Sequence, residues 1–323
     1  MLLSKETVNS RCDGISVVVP VYNSAPMLME LVARLQPVLR LTNQPFELIL
    51  VDDGSRDTSW ITVVDLSTKH SWIRGIRMLR NFGQHNALLA GIRDGRFSIT
   101  VTMDDDLQHL PEELPKLLNK ISEGYDVVYG PPEFEQHGFL RNIASVGTKF
   151  ALRGTAGVEI VRSICAFRVF RTRLRDAFAS CQSPYVNIDI LLSWGATRFG
   201  AVRVKHSARA IGKSNYTIRS LTRHALNLVT GFSILPLQFA SIVGFSLTIF
   251  GLGILTLVLV RYIISGSVAA GFPFLASIIA IFSGAQLFAL GIIGEYLAHI
   301  HFRLLGKPTF VISEQTEVVT HEC

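Results

Sequence analysis

Two stretches of the chain, 225–260 and 262–294, contain no Asp, Glu, Lys, Arg or His, and Arg261 alone separates them. Each is longer than the roughly 20 apolar residues that an α-helix needs to cross a bilayer. Backbone in lipid must satisfy its own hydrogen bonds, so runs of this kind are restricted to helices. Pro236 suits the first turn of one span near 237–260, and Gly271 and Pro273 precede a second near 274–298. A hairpin buried in a soluble core is disfavoured by these lengths. Arg219, Arg223 and His224 precede the pair and His299, His301, Arg303 and Lys307 follow it, while the connection holds only Arg261. By the positive-inside rule both flanks are expected on the cytoplasmic side. Residues 1–14 lack the apolar segment of a signal peptide, so the part ahead of the hairpin is expected to stay in the cytosol.

That part alternates strand and helix patterns. Residues 15–21 form a near-continuous β-branched run, and Tyr22, Asn23 and Ser24 then supply a turn and a helix N-cap ahead of an amphipathic segment to about Leu39. Residues 46–51 repeat the strand pattern, ending in Asp52-Asp53-Gly54-Ser55, and 58–69 is helical. A third strand over 75–79 runs into Arg80-Asn81-Phe82-Gly83 and a helix over 84–93. A fourth, over 98–103, ends in Asp104-Asp105-Asp106-Leu107-Gln108-His109; a helix start at Pro111-Glu112-Glu113 and a strand over 125–129 follow. Alternation of this kind predicts a doubly wound, mostly parallel sheet whose strand ends fall along one edge.

Asp52, Asp53, Asp104, Asp106 and Gln108 can therefore converge where open α/β sheets place their ligands. A solvated acidic turn is the alternative for any one of these segments. Three adjacent carboxylates are costly unless solvent or a cation neutralises them, and hard oxygen ligands suit Mg²⁺ or Mn²⁺ carrying a diphosphate. The other acidic pair could accept hydrogen bonds from the ribose and base of a nucleotide. No Gly-x-Gly-x-x-Gly opens a helix and no phosphate loop ending in Gly-Lys-Ser/Thr follows a strand, so a diphosphate would have to be held through metal.

From His137 to His224 basic residues recur against only Glu159, Asp176 and Asp189. Such a stretch leading into membrane helices should meet anionic head groups, at about 1 kcal/mol per cation near the surface. The tethering hairpin and the few aromatics between these charges argue against nucleic acid. Cys12, Cys165, Cys181 and Cys323 have no paired spacing and are expected to be reduced.

Taken together, Val19-Pro-Val-Tyr-Asn23, Val51-Asp-Asp-Gly-Ser-Arg-Asp57, Arg80-Asn-Phe-Gly-Gln-His85, Met103-Asp-Asp-Asp-Leu-Gln108 with Pro111-Glu112, Arg209 with 212–216, and Gly294-Glu295-Tyr296-Leu297 carry a resemblance over nearly the whole chain. The chain resembles the GT-A-fold, family 2 glycosyltransferases of the polyprenyl-phosphate type, among them dolichol-phosphate mannose synthase and the bacterial undecaprenyl-phosphate glucosyl and aminoarabinose transferases. The resemblance implies a Rossmann-like α/β GT-A domain over 15–206, basic interfacial helices over 207–235, a two-helix transmembrane hairpin over 236–300, and tails at 1–14 and 301–323. It implies that Pro20, Tyr22, Asp52 and Asp53 contact the base and ribose of a UDP- or GDP-linked sugar, with Arg80 near the diphosphate. Asp104, Asp106 and Gln108 would hold Mg²⁺ or Mn²⁺. Arg141, Ser145, Arg168, Arg209 and Lys213 would face the acceptor phosphate, and Asp104, Asp106, Arg168 and Arg209 would carry the chemistry. Asp105 fills a position that is usually small and is left out of the metal shell. Where the family has Gly-Asp-Phe-Arg this chain has Cys165-Ala166-Phe167-Arg168, without the acidic neighbour.

The activity implied is metal-dependent, inverting transfer of a sugar to polyprenyl (undecaprenyl) phosphate, for cell-envelope glycans, at the cytoplasmic face of a bacterial inner membrane. A phosphate acceptor is already an anion near neutral pH and needs no general base, and His85 and His109 read as structural. Transfer to a lipid-linked saccharide or another lipid hydroxyl instead would call for a catalytic carboxylate, with Asp105, Glu112 or Asp189 as candidates. A non-catalytic membrane adaptor is the reading from another class, and the unbroken Asp104, Asp106 and Gln108 set argues against it. A processive synthase is disfavoured by two spans and no Gln-x-x-Arg-Trp. A homo-oligomer is compatible with this anchoring.

Overall fold

The structure is a computed structural model; it describes residues 12–133, 163–181, 186–207, 235–265, 272–306 and 308–316. The strands β1 (Ile15–Val21), β2 (Phe46–Asp52), β3 (Ile73–Met78), β4 (Ile99–Thr102), β5 (Val127–Tyr129), β6 (Arg168–Arg171), β7 (Phe199–Ala201) and β8 (Ile312–Gln315) form one sheet in the order β7-β5-β6-β4-β1-β2-β3-β8. β1 pairs in parallel with both β2 and β4, β2 with β3, and β5 with β7. β6 and β8 run against their neighbours. The chain steps outward from β1 to β2 and β3, then returns to lay β4 on the other side of β1. The order thus reverses between β1 and β4, the crevice at which doubly wound sheets bind ligands.

Near-continuous apolar strands are explained by helices on both faces. Helices α1 (Ala25–Arg40), α2 (Ser59–Lys69) and α4 (Leu114–Ser122) cover one face, where Leu28, Leu31, Val63 and Leu117 meet Val17, Val19, Leu48 and Leu50. Helices α3 (Gln84–Asp94) and α5 (Ile188–Ser193) cover the other, packing Leu88, Leu89, Ile92 and Leu191 with Val18, Ile49 and Val51. Gly91 allows the close approach of α3: a Cβ there would lie 2.4 Å from a Val18 methyl and 3.0 Å from one of Val51.

The two apolar runs form long helices, α6 (Leu235–Ser265) and α7 (Phe272–Leu304). Large apolar side chains such as Phe239, Phe245, Leu257, Ile279 and Leu290 stand exposed along them. Contiguous exposed apolar surface on this scale is what a membrane-facing pair requires, and a core hairpin would bury it. The interfacial helices expected within 207–235 lie outside the described residues, apart from their first and last positions.

The segment after the hairpin, expected as a cytoplasmic tail, returns to the domain. β8 pairs antiparallel with β3, matching Ile76 with Gln315 and Arg77 with Glu314, and Thr316 exchanges bonds with Gly75 at the strand end. The sheet thus includes chain from beyond the second long helix. Cys165 and Cys181 are free, as expected, whereas Cys12 is disulfide-bonded, a pairing that spacing alone does not reveal.

The close seat of α3 yields a stability prediction. Gly91→Ala should overpack the α3–sheet contact and lower unfolding stability by about 1–3 kcal/mol, read by thermal or denaturant unfolding; an unchanged midpoint would show that the layer gives way freely.

Candidate active site

The two ends of the parallel strands differ in how their charges are satisfied. At the starting end, buried Glu47 accepts from Ser16 Oγ (2.7 Å), Arg74 Nε (2.9 Å) and the Arg96 amide (2.7 Å), and Arg74 also pairs with Asp94. At the finishing end the carboxylates gather with few cations among them, and Asp52 Oδ2 is buried without a hydrogen-bond partner. Buried polar atoms are nearly always bonded, so an orphan at a sheet's ligand edge marks a place where a ligand atom belongs.

Each acid at this edge is set by the loop it touches. Asp52 closes β2 fully buried, and its Oδ1 accepts from the Ser55 amide at 3.3 Å. Burial pushes its carboxyl up, with Ser55 and Arg77 opposing. Asp53 accepts from the Phe82 amide at 2.7 Å with one oxygen and from the Gly83 amide at 2.8 Å with the other. It therefore clamps the turn that carries Arg80 and opens α3, a turn that needs Gly83 at φ 98°. Burial raises the Asp53 pKa to about 6, against the two amide bonds that favour its charge.

On the other side of the crevice Asp104 accepts from Gln84 Nε2 at 2.6 Å. Asp106 accepts from the Gln108 amide at 3.1 Å, and Leu107 between them adopts a left-handed φ of 57°. That conformation costs a non-glycine residue about 1–2 kcal/mol and is found where a turn must aim its side chains. Asp105 turns away, accepting from Ser24 Oγ and from the Tyr22 amide at 3.4 Å. Ser24 does occupy the N-cap of α1, as expected, but its hydroxyl makes no cap bond and serves Asp105 instead. Burial raises the Asp105 carboxyl, opposed by these donors.

Among the expected donor-side residues, Pro20 lies in β1 opposite Val51, Tyr22 is 44% exposed just beyond β1, and the Arg80 guanidinium lies 4.7 Å from the centre of the Phe82 ring, exposed at the same edge. Among the described residues no three His, Cys, Asp or Glu side chains stand close enough to cage a metal by themselves. Asp104, Asp106 and the Gln108 side-chain oxygen are the hard oxygen donors that the sequence offers at the end of β4. That set fits Mg²⁺ or Mn²⁺ taking its remaining ligands from a diphosphate and water, and does not fit a closed structural site.

Arg168 lies beneath the edge rather than on it. It is 2% exposed, ion-paired with Asp189, and donates from Nε to Thr102 Oγ1 at 2.9 Å, while the Tyr129 hydroxyl also reaches Asp189 at 3.1 Å. The acidic neighbour missing from 165–166 is thus supplied by Asp189, from α5. His109 stacks on Phe167 and meets His206 edge to face, and burial, reinforced by His206 and Arg168, lowers its pKa to about 4. Arg141, Ser145, Arg209 and Lys213 lie outside the described residues. Gln84, Arg77, His206 and the Ser24–Asp105 contact were not read from the sequence. Only Arg77 left a signal there, as a charge inside a strand of a covered sheet.

The three carboxylates proposed as bases for a hydroxyl acceptor are all engaged. Asp105 holds the β1–α1 loop. Asp189 is buried against Arg168. Glu112 is bidentate with Arg34 at 3.0 and 2.8 Å, which holds its carboxyl below the usual range.

A doubly wound sheet with an acid-lined switch point and an apolar helix pair defines an α/β domain with a ligand-binding edge, joined to a pair of helices long enough to cross a membrane. Residues 16–178 match glycosyl transferase family 2. A protein of Shewanella sediminis named undecaprenyl-phosphate 4-deoxy-4-formamido-L-arabinose transferase is 35% identical over 311 residues, covering 95% of this chain and 93% of the relative. A protein of the same name from Pseudomonas paraeruginosa is 33% identical over 303 residues, covering 93% and 89%. Glucosyl-3-phosphoglycerate synthase from Mycobacterium tuberculosis, solved with Mn²⁺, UDP and glucosyl-3-phosphoglycerate, superposes with a TM-score of 0.51 at 18% identity, covering 68% of this chain and 78% of that one. The chain belongs to glycosyl transferase family 2, and it is a glycosyltransferase.

The Asp53 clamp predicts a pH dependence. Its folded pKa of about 6 stands above the usual carboxylate value near 4, so the folded state binds the extra proton between those values. Its contribution to stability therefore falls as pH rises from about 4 to about 6 and is constant above. Unfolding midpoints of Asp53→Asn, compared with the parent across pH 4–8, should lack that component; parallel profiles would contradict the assignment.

Proposed function

We propose that this glycosyltransferase moves a sugar from a nucleoside diphosphate donor to a polyprenyl phosphate, undecaprenyl phosphate in a bacterial inner membrane, with inversion at the anomeric carbon. The observation that carries the reading is that the three carboxylates considered as bases for a hydroxyl acceptor, Asp105, Glu112 and Asp189, are all engaged by other groups. Such a site suits an acceptor that arrives already ionised. The names of the two relatives support the lipid phosphate, and the membrane hairpin supplies access to it.

The donor's base and ribose would lie over Pro20 and Tyr22 and satisfy the orphaned Asp52 oxygen. Asp53 would act by holding the Phe82–Gly83 turn, which sets Arg80 near the diphosphate. Asp104, Asp106 and Gln108 would hold Mg²⁺ or Mn²⁺; the synthase neighbour was solved with Mn²⁺ and UDP, which supports that class of cofactor. The cation, when bound, supplies Lewis-acid stabilisation of the leaving diphosphate. A phosphate oxygen of the lipid attacks the anomeric carbon as the bond to the diphosphate oxygen breaks, and the nucleoside diphosphate departs with that electron pair. Arg141, Ser145, Arg209 and Lys213 would gather the lipid phosphate by charge-assisted hydrogen bonds. Arg168, fixed under Thr102, would offset the charge of the acids from below. The positive flanks of the hairpin support a position for the domain at the cytoplasmic leaflet.

Purified protein with Mg²⁺ or Mn²⁺, labelled nucleotide sugars and undecaprenyl phosphate tests this reading. The first donor is UDP-linked 4-deoxy-4-formamido-L-arabinose, after the relatives' names. Label should pass to the organic phase only with metal and lipid phosphate both present; transfer to a lipid alcohol instead would overturn the acceptor assignment. Asp106→Ala should reduce transfer at least a hundredfold with little change in unfolding midpoint, and retained turnover would remove the metal role from this residue.

A further inference from the structure

The returning strand β8 does more than close the sheet. Glu314 sits opposite Arg77 in the β3–β8 register, and its carboxylate accepts from Arg77 Nη1 at 3.0 Å with one oxygen and from Trp60 Nε1 at 2.9 Å with the other. The Arg77 guanidinium lies over the Trp60 ring, 5.7 Å from its centre. Arg77 is thus held from two sides, by an ion pair and an aromatic face. Its Nε then stands 3.7 Å from Asp52 Oδ2, the oxygen that has no hydrogen-bond partner. At that separation it is a counter-charge without being a bond, so it offsets the carboxylate and leaves the oxygen's lone pairs open to a ligand.

We propose that Arg77, fixed by Glu314 and Trp60, is a positioning residue of the donor site that orients and neutralises the Asp52 carboxylate, so that donor binding depends on docking of the strand that follows the membrane hairpin. The inference rests on the reading of Asp52 as a donor contact. It extends that reading by making a residue beyond the second span part of the machinery. The charged groups set around Asp52 are Arg77 on β3, Glu314 behind it on β8, Asp53 beside it and Asp57 in the following loop. Of these only Arg77 is cationic. Removing it would leave a buried carboxylate among acids, which would then take up a proton at higher pH and lose its capacity to accept two hydrogen bonds.

The test is calorimetric binding of UDP with Mn²⁺ to the full chain from pH 5 to 8, with kcat and both KM values measured on the same preparations. Arg77→Met should weaken nucleotide binding about tenfold at neutral pH, move the acid limb of the binding profile to higher pH and raise donor KM, leaving acceptor KM unchanged. Arg77→Lys, which keeps the charge, should recover most of the affinity. Glu314→Ala, which frees the guanidinium, should weaken binding about threefold in the same direction. Unfolding midpoints separate a general loss of structure: variants that lose affinity only in proportion to stability, without the shift in pH profile, would overturn the proposal. Arg77→Met binding as tightly as the parent would overturn it too, with the donor site intact. A parent chain that binds no nucleoside diphosphate with any divalent cation would defeat the donor-site reading and this inference with it.

Discussion

Crowding of like charges at one edge of the sheet is the constraint on which the rest of the structure depends. Five aspartates, at 52, 53, 104, 105 and 106, end two strands that flank β1. Left in a low dielectric without partners they would oppose folding by several kcal/mol. The fold distributes them: Asp53 takes two loop amides, Asp105 takes Ser24 and Tyr22, and Asp104 takes Gln84, while Asp52 keeps one oxygen unbonded. The acids that are spoken for fix the loops, and the oxygen left unbonded on Asp52 lies buried beside Arg77. The same loops bring Tyr22, Arg80 and Gln108 to the edge, so the scaffold of the site and its charge balance are one arrangement.

Much of this was legible beforehand because a sheet covered on both faces writes itself as apolar runs. β1, β2 and β4 read as strands for that reason, and the acids marked their ends. The two antiparallel strands were not legible. β6 begins and ends with arginine and reads as part of a basic stretch, and β8 is a short polar segment whose four residues are exposed and which joins the sheet through its backbone. Backbone pairing leaves no side-chain period to detect. The roles of individual acids were also hidden. Ser24 is a sound N-cap by local rules, and only a residue 81 positions away diverts its hydroxyl. Asp53 looks identical to Asp52 until the loop after β3 is laid against it.

The hairpin and the domain are joined at both ends. Chain leaves the sheet after β7, crosses to α6 and α7, and comes back as β8 beside β3. The chain that follows the second long helix is therefore part of the same sheet as the chain that precedes the first.

The central claim is that this edge recruits a divalent cation together with a nucleoside diphosphate. Electron paramagnetic resonance of Mn²⁺ titrated onto the full chain tests it most directly. If Asp104, Asp106 and Gln108 supply only part of the shell, Mn²⁺ alone binds weakly, and at least tenfold more tightly once UDP or GDP is added. Mn²⁺ that remains free in the presence of either nucleotide, or that binds equally well without one, would contradict it.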